Sequence, residues 1–362
     1  SPGRFTYPLK KAKLIALLVL VIVFGIFAGC SNNSESNNDA NSDAESKSAD
    51  ADGTLELRLG HIFPVDSVKD RAANMFAERI EEETNGKIKI TVYPASQLGG
   101  DEVMAKDISR GTLDMSFINQ GSLAGLDPLL DFRYLPYIVT NYEEADKIYY
   151  GDGIIPKLME ETLLKYDMVT LGLFENEFRG VSNSVKPISS VEDLKGLKLR
   201  VPGSQAIYGF FEKAGVQAEV MPFDELYMGL QQGTVDGQDN GLLLTYDSNF
   251  HEVNKYYTLL NHVYATGSIV INKQLFESLS EEEQEIFKRV GKEVQEWQVA
   301  ENRKEVQNYR EKMEAEGVEF TDLTEEQIRE FQEFGISQWD DYADVYGEDR
   351  INALKEELEA LK

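Results

Sequence analysis

Arg200 sits in a run, Leu197 to Val201, where apolar residues alternate with Lys198 and Arg200, and Pro202-Gly203-Ser204 stops that run at once. Such alternation is what a strand with one buried face requires, so a guanidinium stands at a strand mouth. Its two parallel N–H groups match the two oxygens of a carboxylate, fixing orientation as well as charge. The competing use is an ion pair within the chain, where acids abound: 64 Asp and Glu stand against 36 Lys and Arg, for a net charge of -28. Other chemistry is scarce. The one cysteine, Cys30, and three histidines, His61, His251 and His262, exclude an internal disulfide and a Cys-rich metal cluster. No GxSxG elbow, HExxH pair or Walker loop occurs, and neither a metal nor a cofactor is expected. A secreted enzyme using paired carboxylates on acidic sugars stays open as an alternative. A surface this acidic repels phosphate backbones, so nucleic acid is not an expected partner.

Cys30 belongs to the leader. Lys10, Lys11 and Lys13 precede the apolar run Leu14 to Ala28, which is short for a bilayer span but suits a signal-peptide core. The run closes on Phe27-Ala28-Gly29-Cys30, which resembles the lipobox of bacterial lipoproteins, with Phe27 where Leu is usual. Residues 1–30 are therefore expected to be a lipoprotein signal peptide with lipid attached at Cys30. Residues 31–53 carry no apolar side chain larger than Ala and are expected to be a disordered tether. An uncleaved N-terminal anchor is the other reading; both hold the protein on the outer face of the cytoplasmic membrane.

From Thr54 onward strands and helices alternate. Strands are expected over 54–62, 87–94 and 112–119, with helices over 70–86 and 101–111 between them, an order that argues an α/β domain with a mostly parallel sheet. A second set follows: the KLRVP strand, a helix over Gln205–Ala214, a strand over 218–223, a helix over Asp224–Gln232, and strands over 234–240 and around Leu260–Ala265. Residues 280–317 read as a helix of some 35 residues, opened by a capping box of Ser280 and Glu283; two helices broken near Gly291 are the alternative. At about 1.5 Å per residue a continuous helix reaches about 50 Å, enough to brace two lobes. The expected architecture is an α/β clamshell of the periplasmic-binding-protein type with a long bracing C-terminal helix. Lobe I takes 54–177 and about 266–305; lobe II takes 178–265 and about 306–362. Ligands then bind between the lobes, at strand ends.

Three blocks, YPASQLGGDEVMAKDISRGTLDMSF (93–117), FRGVSNSVKPISSVEDLKGLKLRVPGS (178–204) and MPFDELYMGLQQGTVDGQDN (221–240), together resemble the solute-binding proteins of TRAP transporters, the DctP-type family. The resemblance covers about residue 54 to the C-terminus. It implies capture of a small organic acid and delivery to TRAP-type membrane permease subunits; a ligand-binding sensor lipoprotein is the alternative. It implies that Arg200 pairs with the ligand carboxylate and that Arg179 is a second arginine beside it, although Glu175 and Glu177 offer Arg179 local partners. Asn240 matches an amide that hydrogen-bonds the same carboxylate, Asn240-Gly241 being equally good turn chemistry. Phe223 matches an aromatic wall, or is core. Glu102 would face the ligand's hydroxyls from lobe I, or is simply favoured in a helix's first turn. Tyr93, Asn119 and His61 lie near expected strand ends. The ligand class, sugar acid or dicarboxylate, leans towards a sugar acid on the hydroxyls and amides near those ends.

Overall fold

The computed structural model describes residues 53–362; the leader with Cys30 and the tether up to residue 52 lie outside them. Eleven strands form two sheets among the described residues. β1 (Leu55–Gly60), β2 (Ile88–Tyr93), β3 (Met115–Ile118) and β4 (Met168–Phe178) come first in the chain, followed by β5 (Gly180–Asn183), β6 (Lys198–Val201), β7 (Gln217–Val220) and β8 (Gly237–Asn240). β9 (Tyr256–Thr258), β10 (Tyr264–Asn272) and β11 (Glu319–Thr321) complete the set. The first sheet has the order β2-β1-β3-β10-β4, the second β11-β9-β5-β8-β6-β7.

Each sheet is built around βα units of the expected kind. Helix Val68–Glu83 starts where the Ser67 side chain accepts the Asp70 N–H and buries Ala72, Ala73, Phe76 and Ile80, spaced one helical face apart. Helix Asp101–Arg110 stops at Gly111, whose φ of 79° is a left-handed cap. These helices close the first core over Leu57, Leu59, Met104 and Phe117. The second core gathers Leu199 and Val201 with Ile207, Phe210 and Phe211 from helix Gln205–Lys213.

Both sheets are mixed rather than mostly parallel. β1 runs parallel to β2 and β3, whereas β10 is antiparallel to β3 and β4. In the second sheet β6 is parallel to β7 and β8, whereas β5 is antiparallel to β8 and β9. The physical reason is the connection: β5 and β10 arrive from the other lobe and enter against the local direction. Only Arg179 separates β4 of the first sheet from β5 of the second. The return passes through 259–263 into β10. The two crossings are bonded together, Arg179 N–H to Val263 C=O at 2.8 Å and Asn261 N–H to Arg179 C=O at 3.0 Å. The strand expected around Leu260–Ala265 is thus replaced by β9 and β10 with the crossing between them.

The C-terminal helix is continuous, Glu281–Ala315, with the Ser280–Glu283 capping box formed. Phe287, Val290 and Val294 pack into the first core, and Met313 packs with Leu242, Leu243 and Tyr257 of the second lobe. The final helices depart from the expected assignment of everything past about 306 to lobe II. Phe331 joins the second core, but Trp339, Tyr342, Tyr346, Ile351 and Leu354 join the first. Their apolar faces return to cover helix Ile154–Lys165 and the turn around Phe132, a destination that amphipathic spacing alone does not specify.

Candidate functional site

The crossing strands and the C-terminal ends of β6 and β8 bring the basic residues together. Arg200 is 3% exposed. Its Nε–H donates to the Met221 carbonyl at 2.8 Å, and its guanidinium carbon lies 5.9 Å from the centre of the Phe223 ring. No carboxylate lies within ion-pair distance of it, and its two terminal nitrogens have no hydrogen-bond partner among the described residues. Burial, and then the neighbouring Arg179, push its pKa down to about 10, against the attraction of Asp239, Glu102 and Asp101. A buried cation without a counter-ion is costly; here the cost is held in place by a neutral carbonyl.

Arg179 is neutralised. Its Nε donates to Asp239 Oδ2 at 2.7 Å, and Nη2 to Asp239 Oδ1 at 3.0 Å and to the Asp239 carbonyl at 2.7 Å. His262 Nε2 meets the same Oδ2 at 2.9 Å. Burial opposes the charge on Asp239, but Arg179 and His262 outweigh it and hold the carboxyl below the usual carboxylate range. Neither acid near Arg179 in sequence takes the pairing. Glu175 binds Arg303 at 2.8 Å and the Tyr264 hydroxyl at 2.6 Å. Glu177 sits 3.3 Å from the Lys69 ammonium and accepts the Leu243 N–H at 2.8 Å. Only Nη1 of Arg179 is left without a partner.

Asn240 ends β8, two residues past Gln238, the register partner of Arg200. Its amide donates to Gln238 Oε1 at 2.7 Å and its carbonyl accepts the Tyr257 hydroxyl at 2.9 Å. Phe223 does not end a strand: β7 stops at Val220, and Pro222-Phe223 opens a single helical turn that leaves the ring half-buried beside Arg200.

Glu102 approaches from the first lobe. A Cβ on Gly203, just past β6, would lie 3.2 Å from Glu102 Oε1 and 2.9 Å from the Ser122 carbonyl, and the Ala124 N–H donates to the Gly203 carbonyl at 3.2 Å. The lobes therefore touch at the rim, and glycine is what allows the approach. Burial raises the pKa of Glu102, while Arg200 pulls it down.

Sequence reasoning placed Asn119 at a strand end without its partners. Asp101 accepts the Asn119 N–H and side-chain amide, both at 3.1 Å, and Asn176 donates to Asn119 Oδ1 at 2.8 Å. Burial, then the adjacent Glu102, raise the Asp101 pKa to about 7. Asn176 Oδ1 and the Tyr134 hydroxyl are buried without partners. The Tyr134 ring lies between two cations, 5.8 Å from the Arg179 guanidinium and 5.3 Å from that of Arg133. Asp239, Asp101, Asn176, Tyr134 and Arg133 were all missed, since single residues in apolar or turn-like runs carry no local signal. His61 is not brought to the cleft: it accepts the Phe63 N–H at 3.0 Å and meets Asp70 at 2.9 Å. Among the described residues no helix is long and apolar enough to cross a membrane.

Two α/β lobes joined by crossing strands, with an unneutralised guanidinium buried where they meet, define a protein that captures a ligand between its lobes. The chain belongs to bacterial extracellular solute-binding protein family 7, whose model matches residues 59–344. It is similar to the sialic acid-binding periplasmic protein of Vibrio cholerae, 29% identical over 252 residues, 69% of this chain and 77% of that one. A sugar acid binding protein of Advenella mimigardefordensis in complex with galactonate superposes with a TM-score of 0.81 at 27% identity, covering 85% of this chain and 99% of that one. A TRAP periplasmic solute-binding protein of Sulfurospirillum deleyianum with bound succinate gives 0.79 at 26% identity, covering 84% and 99%. The family's role is transport binding, and TRAP solute-binding proteins work with membrane permeases.

Proposed function

We propose that the protein captures a small organic acid by pairing its carboxylate with Arg200 and hands it to a TRAP-type permease from the outer face of the cytoplasmic membrane, held there by a lipid on Cys30. The observation that carries the reading is the buried Arg200 guanidinium with two unspent nitrogens. Asp239 has already neutralised Arg179, so Arg200 supplies the charge, while Arg179 Nη1 and Asn240 complete the cradle. Phe223 forms one wall, and Glu102 closes the cleft from the first lobe. Water leaves as the lobes close, which strengthens the ion pair. Truncating one partner of such a buried pair costs about 2–5 kcal/mol, or roughly 30- to several-thousand-fold at about 1.4 kcal/mol per decade. Arg200→Ala is therefore expected to weaken calorimetric affinity for the acid by that factor with the fold intact. Unchanged affinity would sink the assignment.

A further inference from the structure

Glu177 stands in a backbone conformation that favours glycine, with φ at 65°. Its partner Lys69 lies in the first turn of helix Val68–Glu83, where the helix dipole opposes a cation. Both side chains are within 4% exposure, and an ion pair so buried contributes little net stability. Three local costs thus meet in one pair, 3.3 Å apart. What the pair holds is helix Leu242–Asp247. That helix opens on Gly241, which offers no side-chain cap. Glu177 supplies the cap from outside, accepting the Leu243 N–H at 2.8 Å and the Leu244 N–H at 3.3 Å. A Cβ on Gly241 would lie 2.5 Å from Glu177 Cδ, so the carboxylate fits there only over glycine. Val68, beside Lys69, packs with Leu242 and Leu243, so the first lobe reaches this helix by an apolar contact as well.

The same helix leads back to the ligand site by two routes. Asn240 precedes it by a single glycine. Inside it, the buried Thr245 hydroxyl donates to the Gly241 carbonyl at 2.8 Å and accepts from Gln238 Nε2 at 3.2 Å, and Gln238 Oε1 accepts from the Asn240 amide at 2.7 Å. Gln238 is in turn the register partner of Arg200. On the reading that Asn240 takes the ligand carboxylate, we infer that Glu177, held by Lys69, is a positioning residue for capture: it seats helix Leu242–Asp247, which through Thr245 and Gln238 aims the Asn240 amide at the carboxylate on Arg200. The first lobe thereby shapes a cradle that stands on the second. A left-handed glutamate persists only where its surroundings over-determine it, and such residues cluster at ligand sites; here the helix cap and the Lys69 ammonium do the fixing.

The test is a double-mutant cycle with Asn240→Ala, read by isothermal calorimetry with galactonate, glucuronate, succinate and pyruvate as probes. Lys69→Met/Glu177→Gly removes both charges together and sets glycine at the left-handed position, so no buried charge is stranded; scanning calorimetry checks its fold. In the chain that keeps Asn240 it is expected to weaken binding of the tightest of these acids about ten-fold, the size of one hydrogen bond to a charged group. In the Asn240→Ala chain the same substitutions are expected to weaken it less than about two-fold, because residues that act through one another are non-additive. Thr245→Val, which breaks the relay inside the helix and leaves Lys69 and Glu177 paired, is expected to show the same dependence on Asn240, and it decides the matter if the first variant does not fold. Equal losses in both backgrounds, or no loss in either, overturn the inference and leave carboxylate capture by Arg200 standing. Full affinity in Asn240→Ala alone also overturns it, since nothing is then left to aim. A wild-type protein that binds no carboxylate overturns the function proposed above and the inference together.

Discussion

Asp239→Asn isolates the pairing that sets the roles of the two arginines. Asp239 receives two guanidinium hydrogen bonds, at 2.7 and 3.0 Å, and stands 2.9 Å from His262, with both its own side chain and that of Arg179 within 4% exposure. Removing one partner of a buried pair leaves the other charge uncompensated, at about 3–5 kcal/mol. The amide also turns an N–H towards donors on Arg179 or His262. With about 2.1 cal/mol/K of unfolding entropy per residue, a domain of roughly 300 residues loses about 5–8 °C in Tm. The assay is differential scanning calorimetry of the ligand-free protein, run also on Arg179→Met and on the double variant Arg179→Met/Asp239→Leu. The double variant is expected to melt nearer wild type than Asp239→Asn does, since no charge is stranded in it. The ligand-induced rise in Tm is expected to be larger in Asp239→Asn than in wild type, because the freed Arg179 gains a second claim on the ligand carboxylate. Wild-type melting of Asp239→Asn would refute the view that Arg179 is spent on this pair. So would a double variant no better than the single.

Asp101 titrates against the fold. Its pKa of about 7, above the ordinary 3.8, means that the folded state holds a proton the unfolded chain has released. Stability is therefore full below about pH 4 and falls as pH rises towards 7. Asp101→Asn is expected to remove that slope, so its Tm relative to wild type rises between pH 5 and pH 8; a parallel offset at both pH values would contradict it. Gly203→Val places carbon against the Ser122 carbonyl and the Glu102 carboxylate and is expected to hold the lobes apart, lowering ligand affinity at least about ten-fold with little change in ligand-free Tm. Wild-type affinity in that variant would show that the rim does not need to close to this distance.

Arg200 was legible because apolar residues alternate with basic ones up to Pro202, which marked the strand and its end, although Arg200 itself is as buried as Leu199 and Val201 beside it. β10 was not, because all nine of its residues are buried and a strand covered on both faces loses its period-two signature. The crossing before it reads as a turn. The Arg179–Asp239 pair spans 60 residues and displaced the nearer Glu175 and Glu177, which buried partners elsewhere had claimed. The start of the long helix was readable from the Ser280–Glu283 capping box, whereas the Ser67 cap starts the first helix at Val68, two residues before the expected position. The landing place of the last helices depends on which core has uncovered apolar surface, and that is settled only in three dimensions.

The unbroken helix Glu281–Ala315, seated on the first core near Val290 and on the second lobe at Met313, also limits the kinematics. A rod of about 50 Å gripped near both ends resists sliding of one lobe past the other and resists stretching between them. What it leaves soft is rotation about an axis close to the bonded crossings at Arg179 and Val263. The lobes then swing as two jaws on one pin, with Arg179 on the pin and Arg200 on a jaw. A single distance between two rim labels is sufficient to report the degree of opening.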